Sequence, residues 1–440
     1  MHVIKNIAVT MMSLWALSAT GGALIDNERN AIRLMNYPPE APCNLSRLAE
    51  TDRAFGWGRV KYDNATNTCV ITGDLIIGSN DGSETVLKIG SAEHLDETLI
   101  MKGNIYIHPY FIEGENREHN GDYWRAPKRM NALILGENEN KNITATLKFA
   151  CSPDKRYTVY GGFAPWIKKG TQQGGGLYVY NSQIAPLNPE TGNEIGSIEG
   201  IGMYLAGGSV FDNAKITGVK GALHRMGAGI NKDFLVRNTM FTRVSMPLTA
   251  SGVCKVSTCM FVDCETAVSD RGSLELELTD CVFRGNEQNW ALTYSDNGLV
   301  CVDCIWDAPR KEDFYRVSVD NKGIKKYPKF SDRHQVTVKV IDDAGNPVAD
   351  VIVSFKAEQA GCDLLQNREF RTDKDGMTPA KGNDGAIVMT EYVKTATEVP
   401  DKPNTSFFTY TVTARKNNKC GSIQNFKPTQ SGEPVVLTLR

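Results

Sequence analysis

Five strips of this chain repeat one pattern of residues: VFDNAKI, LVRNTMF, KVSTCMF, ELTDCVF and VCVDCIW, all between Leu205 and Trp306. Their polar anchors, Asn213, Asn238, Thr258, Asp280 and Asp303, are separated by 25, 20, 22 and 23 residues. Three residues beyond each anchor stands a large apolar residue: Ile216, Phe241, Phe261, Phe283 and Trp306. One residue beyond stand Ala214, Thr239, Cys259, Cys281 and Cys304; two before stand Phe211, Val236, Val256, Leu278 and Cys301. Self-similarity at a short fixed period marks a chain in which each repeat buries its apolar face only against its neighbours. Few folds satisfy that condition, so this feature constrains the architecture more than any other.

The strips alternate with a period of two and are rich in Val, Phe, Thr and Ile, which favours strands. Paired amphipathic stretches at helical spacing are missing, and so is the leucine-rich pattern LxxLxLxxN. The apolar phase also slips by one residue at each anchor. Such a slip turns every later side chain to the other face, so the chain must bend there. A polar anchor at the bend can then bond to the repeats above and below. This stacked column of Asn, Thr and Asp resembles the polar turn of right-handed parallel β-helices, the pectate-lyase-like superfamily. The resemblance covers Leu205–Trp306 well and Val70–Tyr204 loosely. It implies an all-β fold, a right-handed parallel β-helix solenoid, and no particular activity.

A chain of 440 residues has room for two or three domains. Its formal net charge of −2 offers no basic surface for nucleic acid. Residues 1–23 read as a signal peptide: Lys5, the apolar run Ile7–Ala19, then small residues to Ala23. That run is too short to span a bilayer, so the chain is expected to be exported, with no membrane span once the signal is removed. The expected location is extracellular, cell surface or periplasm. Residues 24–69 would cap the first repeat, with a short helix near Leu45–Phe55. Repeats would fill 70–314, and 315–334 would form a linker.

Residues 335–440 change character. VTVKVID, the turn-rich DAGNP and ADVIVSF read as a β-hairpin. Asp342, Gly345 and Pro347-Val348, followed by Thr372-Asp373 and Asp375-Gly376, resemble the transthyretin-like or carboxypeptidase-regulatory-like β-sandwich; immunoglobulin-like modules share the pattern. Calcium at Asp373 and Asp375 is possible, but a turn ahead of Gly376 explains both residues better, and no other cofactor is expected. Export permits disulfides, and the eleven cysteines leave at least one free. Cys43 with Cys69, and Cys362 with Cys420, are the candidate pairs. Cys259, Cys281 and Cys304 share one column and should stack as small buried side chains.

In the superfamily that the chain resembles, ligands lie along the strand after the aromatic column. Here that strand set carries His224, Thr249, Ser269 and Thr293 outward, above an inward column of Leu223, Leu248, Val268 and Leu292. A lyase acting on a uronate polymer needs a base and a cation for the carboxylate; His224, Arg225 and Arg271 are the candidates. Thr249, Ser269 and Thr293, with Tyr123 and Trp124 of an aromatic insertion, are the candidate ligand-binding residues. No metal cluster, nucleophilic triad or phosphate-binding loop is apparent. The leading expectation is a secreted or cell-surface rod that binds polysaccharide without turning it over. A polysaccharide lyase is the alternative.

Overall fold

The computed structural model describes residues 21–27, 30–78, 84–107, 131–151, 156–161, 175–187, 201–205, 209–219, 223–224, 235–293, 298–320, 322–360, 368–378, 386–399, 402–429 and 433–440. At residues 161, 175, 201–202, 204, 223–224, 249–254 and 270–275 the description extends to the backbone only. The expected signal peptide therefore lies almost entirely outside the described residues. The chain is all-β with large parallel sheets, and it divides into two units. The first holds Met1–Ser273, Val282–Ala291 and Trp306–Asp313; the second holds Leu274–Cys281, Leu292–Ile305 and Phe314–Arg440.

In the first unit, three ladders of strands recur in sequence order. One runs through Gly22–Asp26, Ala31–Met35, Asp74–Ile77, Ile105–Ile107, Tyr157–Gly161 and Ile201–Leu205. Its first pair is antiparallel and the rest are parallel. Parallel pairing thus begins at Ala31–Met35, within the stretch expected to be a cap. The helix in that stretch, Leu45–Phe55, starts where Asn44 accepts the Arg47 N–H and stops at Gly56 in the left-handed conformation.

A second ladder runs in parallel from Thr68–Thr72 through Asp96–Lys102, Thr144–Ala150, Gln183–Leu187, Lys215–Thr217, Met240–Thr242 and Met260–Val262 to Val282–Arg284. Its register aligns Ile216, Phe241, Phe261 and Phe283. The three rings stack face to face, 5.4 Å apart at 6° and then 4.8 Å apart at 19°. In the third ladder the register aligns Ile89, Leu135, Val179, Phe211, Val236 and Val256, all buried. Trp306 continues the aromatic column of the second ladder, on the strand paired with Val282–Arg284, where the Asp307 amide donates to the Phe283 carbonyl, but it is less enclosed than the rings before it. It is only half-buried, and its ring meets Trp290 edge-on at 5.7 Å.

The bend expected at the anchors has a definite backbone form. Asn213, Asn238, Thr258, Asp280 and Asp303 all have φ between 50° and 55°. Asn181 joins them at φ 51°. This left-handed conformation costs an ordinary L-residue roughly 1–2 kcal/mol, and Asn and Asp tolerate it best. Polar anchors are thus explained first by backbone shape. The next residue caps the bend: Ser182, Thr239, Cys259, Cys281 and Cys304 each donate to the carbonyl two residues earlier. Cysteine there stands in for serine and threonine as a small donor. Five residues after four of the anchors, Gly218, Arg243, Asp263 and Gly285 form a second left-handed bend.

The other cysteine expectation needs correction. Cys43 and Cys69 are buried and free, not bonded to each other. Cys43 bridges to Leu87, whereas Cys69 pairs with Leu99 in a different sheet, so the fold places them on separate ladders. Cys420 is exposed and free; its expected partner Cys362 lies outside the described residues, as does Cys254 at the side-chain level.

In the second unit, Leu276–Thr279 pairs in parallel with Leu299–Val302, which pairs in parallel with Lys329–Val336. The first six residues of that strand, Lys329–His334, fall in the stretch expected to be a linker. Its other edge pairs antiparallel with Ile387–Thr395, which in turn pairs with Asn404–Phe407. A three-stranded sheet (Met377–Thr378, Val338–Ile341, Val435–Thr438) and a four-stranded sheet (Glu369–Arg371, Ile352–Ala357, Tyr410–Lys416, Lys419–Phe426) follow. Both feed one core containing Val338, Val340, Val353, Phe355, Val412 and Leu437. The expected hairpin forms only at its tip, where Ile341 and Pro347 pair antiparallel and the Val348 amide donates to the Val340 carbonyl. The turn at Asp342–Gly345 forms, with Gly345 at φ 84°, but its flanking strips enter different sheets because both must bury valines in that shared core.

Candidate functional site

The expected binding strand is brought together in part. His224 pairs with Thr249, and Leu223 with Leu248. Val268, however, pairs with Trp290 rather than Leu292, and Ser269 with Ala291 rather than Thr293. The register slides by two because Trp290 takes the interior position, its ring edge-on to Phe283 at 6.2 Å. A slide of two preserves the face, and Ser269 and Thr293 are both half-buried. Arg271 belongs to the strand Thr266–Thr279, but the side chains of His224, Thr249 and Arg271 are among those not described. Arg225, Tyr123 and Trp124 lie outside the described residues.

A tyrosine column that sequence reasoning missed stands on the first ladder. Tyr106, Tyr160 and Tyr204 are in register, one per strand. Ile105, Ile107 and Val159 beside them are buried, so alternation turns Tyr106 and Tyr160 outward. The rings of Tyr106 and Tyr160 are stacked, 5.1 Å apart and within 3° of parallel. On the third ladder Tyr178 and Tyr180 also turn outward, 6.5 Å apart.

The most chemically loaded cluster is in the second unit. Asp332 and His334 alternate on Lys329–Val336 and so share one face, each side chain 5% exposed. The ladder to Ile387–Thr395 matches Asp332 with Tyr392 and Arg333 with Thr390, which leaves Glu391 as the extra residue of a bulge. Bulges re-aim side chains, and this one brings the Glu391 carboxylate to His334. Nε2 of the imidazole lies 2.9 Å from Glu391 Oε2 and 3.9 Å from Asp332 Oδ1. On the other side of the ring, Nδ1 lies 3.3 Å from Asp303 Oδ1.

Electrostatics here are strained. Burial pushes the Asp332 carboxyl up to about 7, with His334 opposing and Glu391 adding to the rise. Burial works against a charged imidazole at His334, but hydrogen bonds to Asp303 and Glu391 outweigh it and hold the ring above its ordinary range. Asp332 Oδ1 is buried with no hydrogen-bond partner. In the sequence, Asp332-x-His334 sat in a stretch read as linker, and Glu391 is 57 residues further on. Strand alternation could have paired the first two; no local signal could have added the third.

Other candidate chemistry is quieter. The Asp373 carboxylate accepts the amides of Asp375 and Met377, forming the turn ahead of Gly376. Burial pushes the thiols of Cys43, Cys69 and Cys264 up to about 12, far from thiolate at neutral pH. No helix among the described residues is long and apolar enough to cross a membrane. Compared with protein-family models, curated proteins and solved structures, the chain matches none.

Proposed function

We propose that this chain is an exported right-handed parallel β-helix with a C-terminal β-sandwich, acting as a non-catalytic surface rod that binds polysaccharide. Three parallel ladders repeating in sequence order support the winding, and two sheets on one core support the sandwich. The observation that carries the binding role is the outward stack of Tyr106 on Tyr160. Tyrosine presents an apolar ring face with a polar tip. Because the two rings cover one another's faces, the row offers ring edges and hydroxyls, a line of donors and acceptors suited to the hydroxyls of successive sugars.

The test is affinity electrophoresis of the purified chain through gels holding acidic or neutral polysaccharides. Retardation by at least one polymer, lost in a Tyr106→Ala/Tyr160→Ala variant with an unchanged melting curve, is expected. Equal mobility in every gel would remove the reading. Accumulation of unsaturated uronate in the same incubations, dependent on His224 or Arg271, would favour the lyase instead.

A further inference from the structure

We infer that Asp332, His334 and Glu391 are the three protein ligands of a divalent first-row transition metal, with Asp303 orienting the imidazole. Four observations converge. The candidate donor atoms, one from each residue, all lie within 4.8 Å of one another. Tetrahedral zinc bonds place donor atoms roughly 3.4 Å apart, between the 2.9 Å and 3.9 Å observed from His334 Nε2 to the two carboxylates.

Asp332 supplies the second, independent observation. Its Oδ1 is buried, lacks a hydrogen-bond partner and faces Nε2. A buried acceptor left unmet costs about 1–3 kcal/mol, and more when charged. A cation bound between the carboxylates and the ring would satisfy it.

Asp303 supplies the third. A metal-bound histidine almost always donates its other ring N–H to a carboxylate or carbonyl, which fixes the tautomer. With the proton on Nδ1, His334 donates to Asp303 Oδ1 at 3.3 Å and turns the Nε2 lone pair toward Asp332 and Glu391. Asp303 is itself held, accepting the Gln335 amide on both oxygens. The fourth observation is the bulge, without which Glu391 would not share a face with Asp332 and His334.

The donor set selects the ion. Calcium takes six to eight oxygens and magnesium prefers an oxygen octahedron; one imidazole with two carboxylates suits zinc and its neighbours. Glu391 is 32% exposed at its side chain, which leaves solvent an approach for a fourth ligand.

The test uses the full chain, zinc alone as the probe, and the variants Asp332→Asn, His334→Gln and Glu391→Gln. After zinc loading and dialysis, the natural chain should retain one ion and melt several degrees higher than in chelator. Each variant should lose both effects. Cobalt in place of zinc should give visible d–d bands without a sulfur-to-cobalt charge-transfer band, because the ligands are nitrogen and oxygen. Asp332→Asn guards against a misfolding artefact. In chelator it should melt no lower than the natural chain, since it removes a crowded carboxylate, whereas a purely structural ion network would make it melt lower. No retained ion, retention unchanged in His334→Gln, a thiolate band, or a lower melting point of Asp332→Asn in chelator would each overturn the assignment.

Discussion

Nδ1 of His334 lies 3.3 Å from Oδ1 of Asp303, a residue 31 positions earlier that is also the last left-handed anchor of the repeat. The polar bend that shapes the backbone therefore also orients the only histidine of the carboxylate cluster. Each role makes a different demand. The bend needs a residue that tolerates positive φ, which asparagine does as well as aspartate. Orientation of the imidazole needs the full carboxylate.

Asp303→Asn should separate those demands. The bend should survive, with little change in melting temperature. Zinc affinity should fall about 10–100-fold, as for loss of a partner that orients a metal-bound histidine. Competition against a chelating dye measures it, and an unchanged affinity would show that Asp303 does not act through His334.

Phe261 is buried between the Phe241 and Phe283 rings. Phe261→Ala should cost about 3–5 kcal/mol, the cost of removing a ring from a packed core. Phe261→Asp should leave no cooperative unfolding transition, because it places an unpaired charge there. Urea denaturation followed by tryptophan fluorescence reads both. A normal midpoint for either variant would mean that the stack does not carry the core.

Thr258 is the one β-branched residue among the anchors, exposed and at φ 55°. Its conformation is strained without a visible gain. Thr258→Asn should stabilise the chain by about 1 kcal/mol, since asparagine enters the left-handed region more readily. The expected sign is an upward shift of the denaturation midpoint; a downward shift would show that the hydroxyl has a role that the geometry hides.

Glu97 is buried, and its carboxylate accepts the Gly90 amide at 2.9 Å and the Tyr62 hydroxyl at 3.0 Å. Burial raises its carboxyl above the ordinary value, and these two bonds only partly offset that. The folded chain therefore holds this proton more tightly than the unfolded chain. Stability from this group is complete below the ordinary carboxylate value and is lost as pH rises through the raised one. Glu97→Gln keeps an acceptor for Gly90 and gives Tyr62 an N–H donor. The natural chain should lose stability relative to this variant across that window. Denaturation midpoints of both proteins from acid to neutral pH measure the difference, and a constant difference would contradict the shift.

The repeat was readable in the sequence because stacking puts like residues in columns. Ile216, Phe241, Phe261 and Phe283 were expected to align, and they do. Where the pattern breaks, the register no longer follows from it. Leu292 was expected to follow Val268 in the inward column, yet Trp290 claims that interior place and slides the register by two. The tyrosine column was hidden for another reason. Tyr106, Tyr160 and Tyr204 are 54 and 44 residues apart, separated by insertions that erase the period.

By itself, then, the sequence determined what depends on neighbours within a repeat: strand alternation, the bend at each polar anchor and the aromatic stack. Those follow from local backbone preference and from burial repeated at a short interval. Tertiary structure alone decided what depends on distant segments. Asp303, Asp332 and Glu391 converge on His334 because one strand pairs in parallel on one edge and antiparallel on the other, with a bulge that turns Glu391 inward. No short-range rule encodes that meeting, since the energy that holds it comes from pairing across dozens of residues.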